Sequence, residues 1–197
     1  MRLKDICVFC GSKNGNDPDF EKAASELGRL IAQNGTRLIF GAGGTGLMGS
    51  VATACKQHGG QVIGMTISHL FDIERPDLMQ DAMDEVRVFQ KMYERKFAMT
   101  SAAQAFCVLP GGIGTIDELM ELTVLRQLGL FNKPIILLSI NGFFKPLKET
   151  IQFMIDKGFM KPEHLRLVTP LDNVEDVIPT IEKELELIEK ENTSKNA

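Results

Sequence analysis

The chain has 197 residues, 44% of them hydrophobic, and its 22 basic and 26 acidic residues leave a net charge of −4. This length is enough for one α/β domain with a sizeable core. The charges are spread along the sequence, which argues against a nucleic-acid-binding stripe or a polybasic membrane contact. A strand pattern begins at Asp5, and no apolar run approaches the roughly 20 residues that a membrane helix needs. We therefore expect a cytoplasmic protein without a signal peptide.

Apolar runs of strand length alternate with helical patterns along the whole chain. The strand-like runs lie near residues 4–10, 36–41, 61–67, 105–109 and 134–139, with a short extended piece at 85–89. The helical patterns lie near 18–34, 46–59, 90–103, 114–130, 143–157 and 173–189. This alternation predicts an α/β fold with a mostly parallel sheet covered by helices on both faces. We expect one domain over residues 1–190 and a disordered tail over 191–197.

Four cysteines raise the question of a metal or redox site: Cys7, Cys10, Cys55 and Cys107. Cys7 and Cys10 form a CxxC pair, but the pair lies in a predicted strand rather than at the start of a helix, where a thiol pKa would be lowered. No second pair of cysteine or histidine residues has the spacing of metal ligands. We predict buried cysteines of the ordinary kind and no metal site.

Two loops that follow the first two strands are rich in glycine. Residues 10–16 form a polar loop in which Ser12 is either a ligand contact or part of a simple turn. Residues 41–49 contain Gly44-x-Gly46-x-x-Gly49, which matches a dinucleotide fingerprint between a strand and a helix. The acid that should follow about 20 residues later to hold a ribose hydroxyl is missing. The glycines therefore favour phosphate binding over NAD, although they would also permit close packing of the helix on the strand.

The most informative stretch covers residues 105–121, where an apolar run leads into Pro110-Gly111-Gly112-Ile113-Gly114-Thr115 and then a helical pattern. Glycines let backbone N–H groups approach an anion, and a helix start supplies partial positive charge. The spacing of Thr115 and Glu118 fits a capping box, in which the two side chains close the free N–H groups at the helix start. Glu118 is thus either a cap or a functional carboxylate that faces a sugar.

Two further segments are candidates for a site. Residues 69–78 have no clean period and read as a loop that could shape a pocket. In the helix near 90–103, Met92 and Lys96 share one face and Arg95 adjoins it. On composition alone, Glu94-Arg95-Lys96 is more typical of a solvated helix face than of a site.

One reaction would use all of these groups. Cleaving the N-glycosidic bond of a nucleoside 5′-monophosphate builds positive charge on the ribose, which a fixed carboxylate stabilises. The same carboxylate orients or deprotonates the attacking water, and an arginine binds phosphate or ribose oxygens or offsets charge on the leaving base. Glu118 and Arg95 are the candidates for these two roles, and the chemistry requires no cofactor.

Three motifs in this order resemble the Lonely Guy (LOG) family of cytokinin riboside 5′-monophosphate phosphoribohydrolases, whose hallmark is PGGxGTxxE preceded by an Arg-Lys pair. The motifs are residues 41–49, residues 94–96 and residues 110–118. The resemblance extends over most of the chain. It implies a Rossmann-like homodimer that releases a free base and ribose 5-phosphate from AMP or N6-prenylated AMP.

The resemblance also implies residue roles. The catalytic pair falls on Arg95 and Glu118. The expected substrate-binding set is Ser12, Gly44, Thr45, Glu74, Met92, Arg95, Lys96, Gly111, Gly112, Ile113, Gly114, Thr115 and Glu118, with Glu74 placed less firmly because that loop varies in length. The chain departs from the family pattern at Tyr93, Gln104 and Val124, and these departures leave the base preference open.

Two alternatives of other classes remain. A protein of the same fold could bind a nucleotide as a carrier or sensor without catalysis. A pyridoxal-phosphate lysine decarboxylase, a label historically attached to such sequences, would need a Schiff-base lysine and a partner for the pyridine nitrogen, and we assign neither.

Overall fold

The computed structural model describes residues 2–70 and 81–195, in which strands and helices alternate. The strands are β1 (Asp5–Phe9), β2 (Arg37–Phe40), β3 (Val62–Ile67), β4 (Glu85–Phe89), β5 (Ala105–Val108), β6 (Ile135–Leu138) and β7 (Thr169–Leu171). The α-helices of the described residues are α1 (Pro18–Gln33), α2 (Gly46–Gln57), α3 (Met92–Ala102), α4 (Ile113–Gln127), α5 (Lys145–Asp156) and α6 (Val177–Lys195).

The strands form one sheet in the order β4-β3-β2-β1-β5-β6-β7, and every neighbouring pair is parallel. The order runs outward from β1 in both directions, so the chain switches direction between β1 and β5. In open α/β sheets, ligands bind beyond the carboxyl ends of the strands at such a switch point. The predicted Rossmann-like, doubly wound fold is confirmed.

Alternating residues of each strand feed two separate cores, as the period of a strand requires. Ile6 and Val8 of β1 face the core that α1, α2 and α6 cover. Cys7 and Phe9 face the core that α3 and α4 cover, with α5 beside it. Because α3 and α4 lie on the same face, the two helices that carry the candidate catalytic residues are neighbours of one core.

All four cysteines are free and buried, as predicted. Burial raises the pKa of the Cys55 thiol to about 12, and it raises the pKa of Cys107 further. These thiols are therefore protonated near neutral pH and are poor nucleophiles or metal ligands.

The amino edge of the sheet is fixed by polar contacts. Lys133, just before β6, donates from Nζ to the carbonyl oxygens of Thr100 and Ala103 at 2.7 Å each, and so closes the carboxyl end of α3. Asp84, just before β4, accepts a hydrogen bond from the Val62 N–H at 2.9 Å and pairs with Lys56.

Two features differ from the sequence-based expectations. The strand β7 was not predicted, because it has only three residues and one of them is Pro170. The sheet tolerates a proline there because β7 is an edge strand. α6 continues to Lys195, so residues 191–195 extend the helix where a tail was expected. No helix within residues 2–70 and 81–195 has the length and apolar character to cross a membrane.

Candidate active site

Three loops meet at the carboxyl ends of the neighbouring strands β1, β2 and β5. The Gly11 N–H donates to the Pro110 carbonyl at 2.9 Å, which joins the first loop to the third. The Met48 N–H donates to the Gly11 carbonyl at 3.3 Å, and the Thr45 hydroxyl donates to the Ser12 carbonyl at 3.1 Å. The loops thus form one hydrogen-bonded rim at the switch point.

Some of the glycines in these loops are required by packing. Gly46 has a φ of +63°, and a Cβ on it would lie 2.3 Å from the backbone of Ser12 and Lys13. A Cβ on Gly111 would lie 2.1 Å from the hydroxyl oxygen of Thr115. These positions would have to be glycine whether or not a ligand binds.

Gly112 and Gly114 are different, because a Cβ on either would meet none of the described atoms within 4 Å. Both are exposed at the start of α4, together with Ile113. Packing does not explain a glycine at these two positions, whereas the close approach of a ligand to the backbone would.

The helix α4 begins earlier than the sequence motif suggested. Its first residue is Ile113 and its N-cap is Gly112, which has no side chain to accept a hydrogen bond. Thr115 therefore lies inside the first turn, where it is buried against Gly111, and Glu118 lies in the second turn. The predicted capping box of Thr115 and Glu118 is wrong. The start of α4 keeps its partial positive charge without a neighbouring acid in the first turn.

Arg95 is only 5% exposed, so the interpretation of residues 94–96 as a solvated helix face is wrong for it. Its Nε donates to the Met65 carbonyl at 2.8 Å, and its Nη2 donates to the Gly41 carbonyl at 3.2 Å. Nη1 lies 3.7 Å from Met92 Sδ. These two hydrogen bonds, one to β3 and one to the loop after β2, hold the plane of the guanidinium beside the ends of both strands.

Glu118 is half-buried on α4. Burial raises the pKa of the Cys7 thiol, Glu118 raises it further and Arg95 lowers it. After burial, Glu118 is also the largest electrostatic cause of the raised pKa of Cys10. Both charged groups therefore lie close enough to β1 to act on the same thiol with opposite sign.

Lys96 points away from the Arg95 guanidinium and toward α4. Its Nζ lies 2.6 Å from Asp117 Oδ2 and 2.6 Å from Glu121 Oε2, and the side chain is 17% exposed. Partial burial lowers the pKa of Lys96, but hydrogen bonds and charge attraction from the two acids outweigh it and leave the pKa raised. The ammonium thus stays charged and joins the two helices.

The other expected site residues are distributed as follows. Ser12 and Thr45 are exposed on the loop rim, and Gly44 is half-buried beside them. Met92 opens α3 and is partly exposed. Glu74 lies outside the described residues.

The three departures from the family pattern fall in different places. Gln104 lies at the opposite, amino edge of the sheet, where its Oε1 accepts from the Lys4 N–H at 2.7 Å and the Asp5 N–H at 3.3 Å. It is therefore remote from the loop rim, and the expectation that it bears on base preference is not supported. Tyr93 and Val124 are 70% and 51% exposed on α3 and α4.

Sequence reasoning missed four contacts of the site. The carbonyls of Gly41 and Met65 hold Arg95, and the carboxylates of Asp117 and Glu121 hold Lys96. The spacing of the two acids by four residues was a usable signal, since it places both on one helix face. The carbonyl partners have no such signal, because any residue supplies a carbonyl.

Comparisons with known proteins identify a family for the chain. A family model described as "Possible lysine decarboxylase" matches residues 48–181. The cytokinin riboside 5′-monophosphate phosphoribohydrolase LOG7 of Arabidopsis thaliana is 36% identical over 92% of this chain and 82% of its own. The cytokinin riboside 5′-monophosphate phosphoribohydrolase LOG of Oryza sativa subsp. japonica is 35% identical over 92% of this chain and 74% of its own.

Solved structures share the fold at lower identity. The molybdenum cofactor carrier protein of Chlamydomonas reinhardtii superposes with a TM-score of 0.68 at 23% identity, over 94% of this chain and 99% of its own. The molybdenum cofactor binding protein of Rippkaea orientalis gives a TM-score of 0.67 at 22% identity, with the same shares of the two chains. At this identity the likeness concerns the fold alone.

Proposed function

Because the chain belongs to the LOG family of cytokinin riboside 5′-monophosphate phosphoribohydrolases, we propose that it hydrolyses AMP or N6-modified AMP to the free base and ribose 5-phosphate. In this reaction the bond between C1′ and the base nitrogen breaks, and its electron pair leaves with the base. Water supplies the hydroxyl group that C1′ gains and the proton that the base gains. The observation that carries the proposal is the buried Arg95, held beside the ends of β2 and β3, together with the half-buried Glu118 on α4, the neighbouring helix of the same core.

Glu118 is proposed as the carboxylate that faces the sugar. The transition state of this cleavage carries positive charge on the ribose ring, which a nearby carboxylate stabilises. The same group accepts a proton from the attacking water. Its half-buried position on α4 supports this role, since the field of a carboxylate is stronger where water is partly excluded.

Arg95 is proposed as the cationic partner. The Met65 and Gly41 carbonyls hold the guanidinium in one orientation before substrate arrives. A group fixed in advance does not have to be reorganised during the reaction. It binds a phosphate or ribose oxygen, or offsets the charge that develops on the departing base.

The start of α4 is proposed as the phosphate site. Gly112, Ile113 and Gly114 are exposed there, and the helix end contributes partial positive charge. The start of α4 is not closed by a capping box of Thr115 and Glu118, which supports this assignment because a capping carboxylate would occupy the place of the anion. Ser12, Gly44 and Thr45 on the adjoining loops complete the proposed rim, with Gly111 and Thr115 as its support.

The decarboxylase description fits these residues poorly. A Schiff-base lysine must be neutral to attack a carbonyl, whereas two carboxylates keep Lys96 charged. Lys133 has a lowered pKa because of burial, but it lies at the amino edge of the sheet and closes the end of α3. Neither lysine is therefore suited to form a Schiff base with pyridoxal phosphate.

A homodimer is part of the proposal. The helices α3 and α4 expose several apolar side chains, among them Tyr93, Phe97, Val124 and Leu128. Exposed apolar patches on a folded protein mark interaction surfaces, and a second copy would cover this one. Analytical ultracentrifugation of the purified protein tests this, with a single species at the monomer mass as the contrary result.

The experiment for the reaction uses purified protein with AMP and detects adenine by chromatography. Wild type is expected to release adenine and ribose 5-phosphate, and Glu118→Gln is expected to lose at least about a hundredfold in kcat because the charge is removed. Glu149→Gln, the same substitution on an exposed part of α5, serves as the control and should keep wild-type rates. Circular dichroism and thermal unfolding establish that each variant is folded.

The outcomes separate the alternatives. Wild-type rates in Glu118→Gln would refute the assignment of that residue. Tight AMP binding by wild type without any release of base would instead support a nucleotide carrier. A panel of nucleoside monophosphates with and without N6-prenyl groups then determines the preferred base.

A further inference from the structure

The two proposed catalytic residues lie on different helices, and each has a neighbour in sequence that takes part in one ion-pair cluster. Lys96 follows Arg95 on α3, and Asp117 precedes Glu118 on α4. The Lys96 ammonium is 2.6 Å from a carboxylate oxygen of Asp117 and 2.6 Å from one of Glu121. The cluster of Lys96, Asp117 and Glu121, called here the interhelix clamp, therefore joins the backbones that carry Arg95 and Glu118.

We propose that Lys96 is a positioning residue that sets the distance between Arg95 and Glu118 through the interhelix clamp, rather than a ligand of the substrate phosphate. This inference rests on the proposed function, because it assigns a role within the same reaction. It differs from the substrate-binding role that the family resemblance implies for Lys96.

The helix geometry supports this division of labour. Successive residues of an α-helix point about 100° apart, so Arg95 and Lys96 face different directions. Arg95 is directed at the sheet, where the carbonyls of Met65 and Gly41 accept its hydrogen bonds. Lys96 is directed at the neighbouring helix.

The same geometry holds on α4. Asp117 and Glu121 are four residues apart and share one helix face, which Lys96 contacts. Glu118 lies one residue on from Asp117 and is half-buried, whereas Asp117 is exposed. The clamp and the catalytic pair thus occupy adjacent but separate faces of the two helices.

The charges of the clamp also argue against phosphate binding by Lys96. An ammonium between two carboxylates belongs to a group with a net charge of −1, which repels a phosphate dianion. The Lys96 side chain is only 17% exposed, whereas those of Asp117 and Glu121 are 60% and 37% exposed, so water screens the acids more than the ammonium. An anion would have to displace two ionic partners in order to reach it.

Positioning has a measurable consequence for catalysis. A displacement of about 1 Å between reacting groups can lower a rate by about a hundredfold without changing which groups contact the substrate. Loss of the clamp should therefore lower kcat and leave the KM for AMP nearly unchanged. Loss of a phosphate ligand should instead weaken the binding of both AMP and ribose 5-phosphate.

The test compares both sides of the clamp by steady-state kinetics with AMP, and by the inhibition constant of ribose 5-phosphate. Lys96→Met is expected to lower kcat by roughly tenfold to a hundredfold and to change KM by less than about threefold. Asp117→Asn with Glu121→Gln, which leaves Lys96 in place, is expected to do the same. The triple variant should be no slower than Lys96→Met, because members of one unit are not additive. Lys96→Arg keeps the ion pairs and should keep most of the activity.

The contrary results are distinct. If Lys96→Met raises KM and the ribose 5-phosphate inhibition constant by more than about tenfold, and removal of the two acids leaves binding unchanged or tighter, Lys96 binds phosphate and the inference fails. Wild-type kcat in Lys96→Met also overturns it. Should Lys96→Met not fold, Lys96→Arg and the variants of the two acids carry the same comparison. Lys161→Met, which removes an exposed ion pair with Glu163, is the control and should be as active as wild type.

The proposed function is checked in the same series. If wild type releases adenine and Glu118→Gln does not, the proposed function holds. An unexpected result at Lys96 then contradicts only the proposed role of the interhelix clamp. A wild-type protein that releases no adenine overturns both proposals.

Discussion

Gly41→Ala tests whether the orientation of Arg95 limits the reaction. A Cβ on Gly41 would lie 2.5 Å from Arg95 Nη2 and 3.2 Å from Met48 Sδ. Ordinary contact begins near 3.4 Å, so Nη2 has to move by about 0.9 Å, and the hydrogen bond from Nη2 to the Gly41 carbonyl is strained or lost. Both obstructing atoms are at the ends of flexible side chains. The chain therefore adapts at the cost of about one hydrogen bond, and the guanidinium leaves its position.

The expected result is a loss of activity without a matching loss of stability. A misplacement near 1 Å lowers kcat by on the order of a hundredfold, or about 2.7 kcal/mol of transition-state stabilisation. The free energy of unfolding in urea should fall by about 1.5–2 kcal/mol, because one hydrogen bond of the charged guanidinium is lost while the bond to the Met65 carbonyl remains. Adenine release from AMP measures the first quantity, and circular dichroism follows the second.

Gly158→Ala is the matched comparison, because there we expect a loss of stability without a loss of activity. Gly158 has a φ of +79°, and a Cβ on it would meet none of the described atoms within 4 Å. The methyl group strains the backbone by about 1–2 kcal/mol and lies far along the chain from the loop rim. This variant should unfold more easily and keep wild-type kcat. Wild-type kcat in Gly41→Ala, or a loss of several kcal/mol in its stability, would refute the reasoning about Arg95.

Three further predictions concern the amino edge of the sheet. Lys133→Met removes two charged hydrogen bonds at the end of α3 and should lower the free energy of unfolding by about 2–3 kcal/mol. Urea unfolding should show a lower midpoint at an unchanged slope. A loss below about 0.5 kcal/mol would contradict the capping role. The pKa of Asp84 is lowered by hydrogen bonds from Lys56 and from the Val62 N–H, so its stabilising contribution is complete above its ordinary pKa of 3.8 and is lost as the pH falls through the lower folded value. Asp84→Asn should therefore flatten the acid limb of stability against pH, and an unchanged limb would count against this assignment. Gln104→Ala should cost about 1 kcal/mol and leave the ratio of kcat/KM for AMP and N6-prenylated AMP within about twofold of wild type, whereas a larger change would place Gln104 in the base pocket after all.

The fold was predictable because its signals are repeated. Each central strand is a short apolar run, and each run is followed by a helical pattern, so an error at one boundary does not disturb the topology. β4 was recognisable as an extended piece although most of its side chains are exposed. β7 was not, since three residues around Pro170 carry too little pattern.

The site was predictable only where it depends on residue type. Glycine motifs and the order of the Arg-Lys and PGGxGTxxE segments identified the loops and Arg95, Lys96 and Glu118. The capping box was a false local inference, because Thr115 satisfies a sequence pattern while packing against Gly111 holds it inside the first turn. The burial of Arg95 depends on carbonyls 54 and 30 residues away in sequence, which no local pattern reveals.

The position of β1 in the middle of the sheet determines when the site can exist during synthesis. β1 pairs with β2 and also with β5, where Ile6 lies opposite Ala105. The β1–β2–β3 unit has all of its strands once residue 67 has left the ribosome, whereas the strand that completes the other side of β1 follows much later. Since contacts distant in sequence form slowly, the newborn chain holds an exposed flank of β1 until β5 arrives. The loop rim therefore cannot form before β5 and the start of α4 have been made, so an incomplete, inactive sheet precedes the folded enzyme during synthesis.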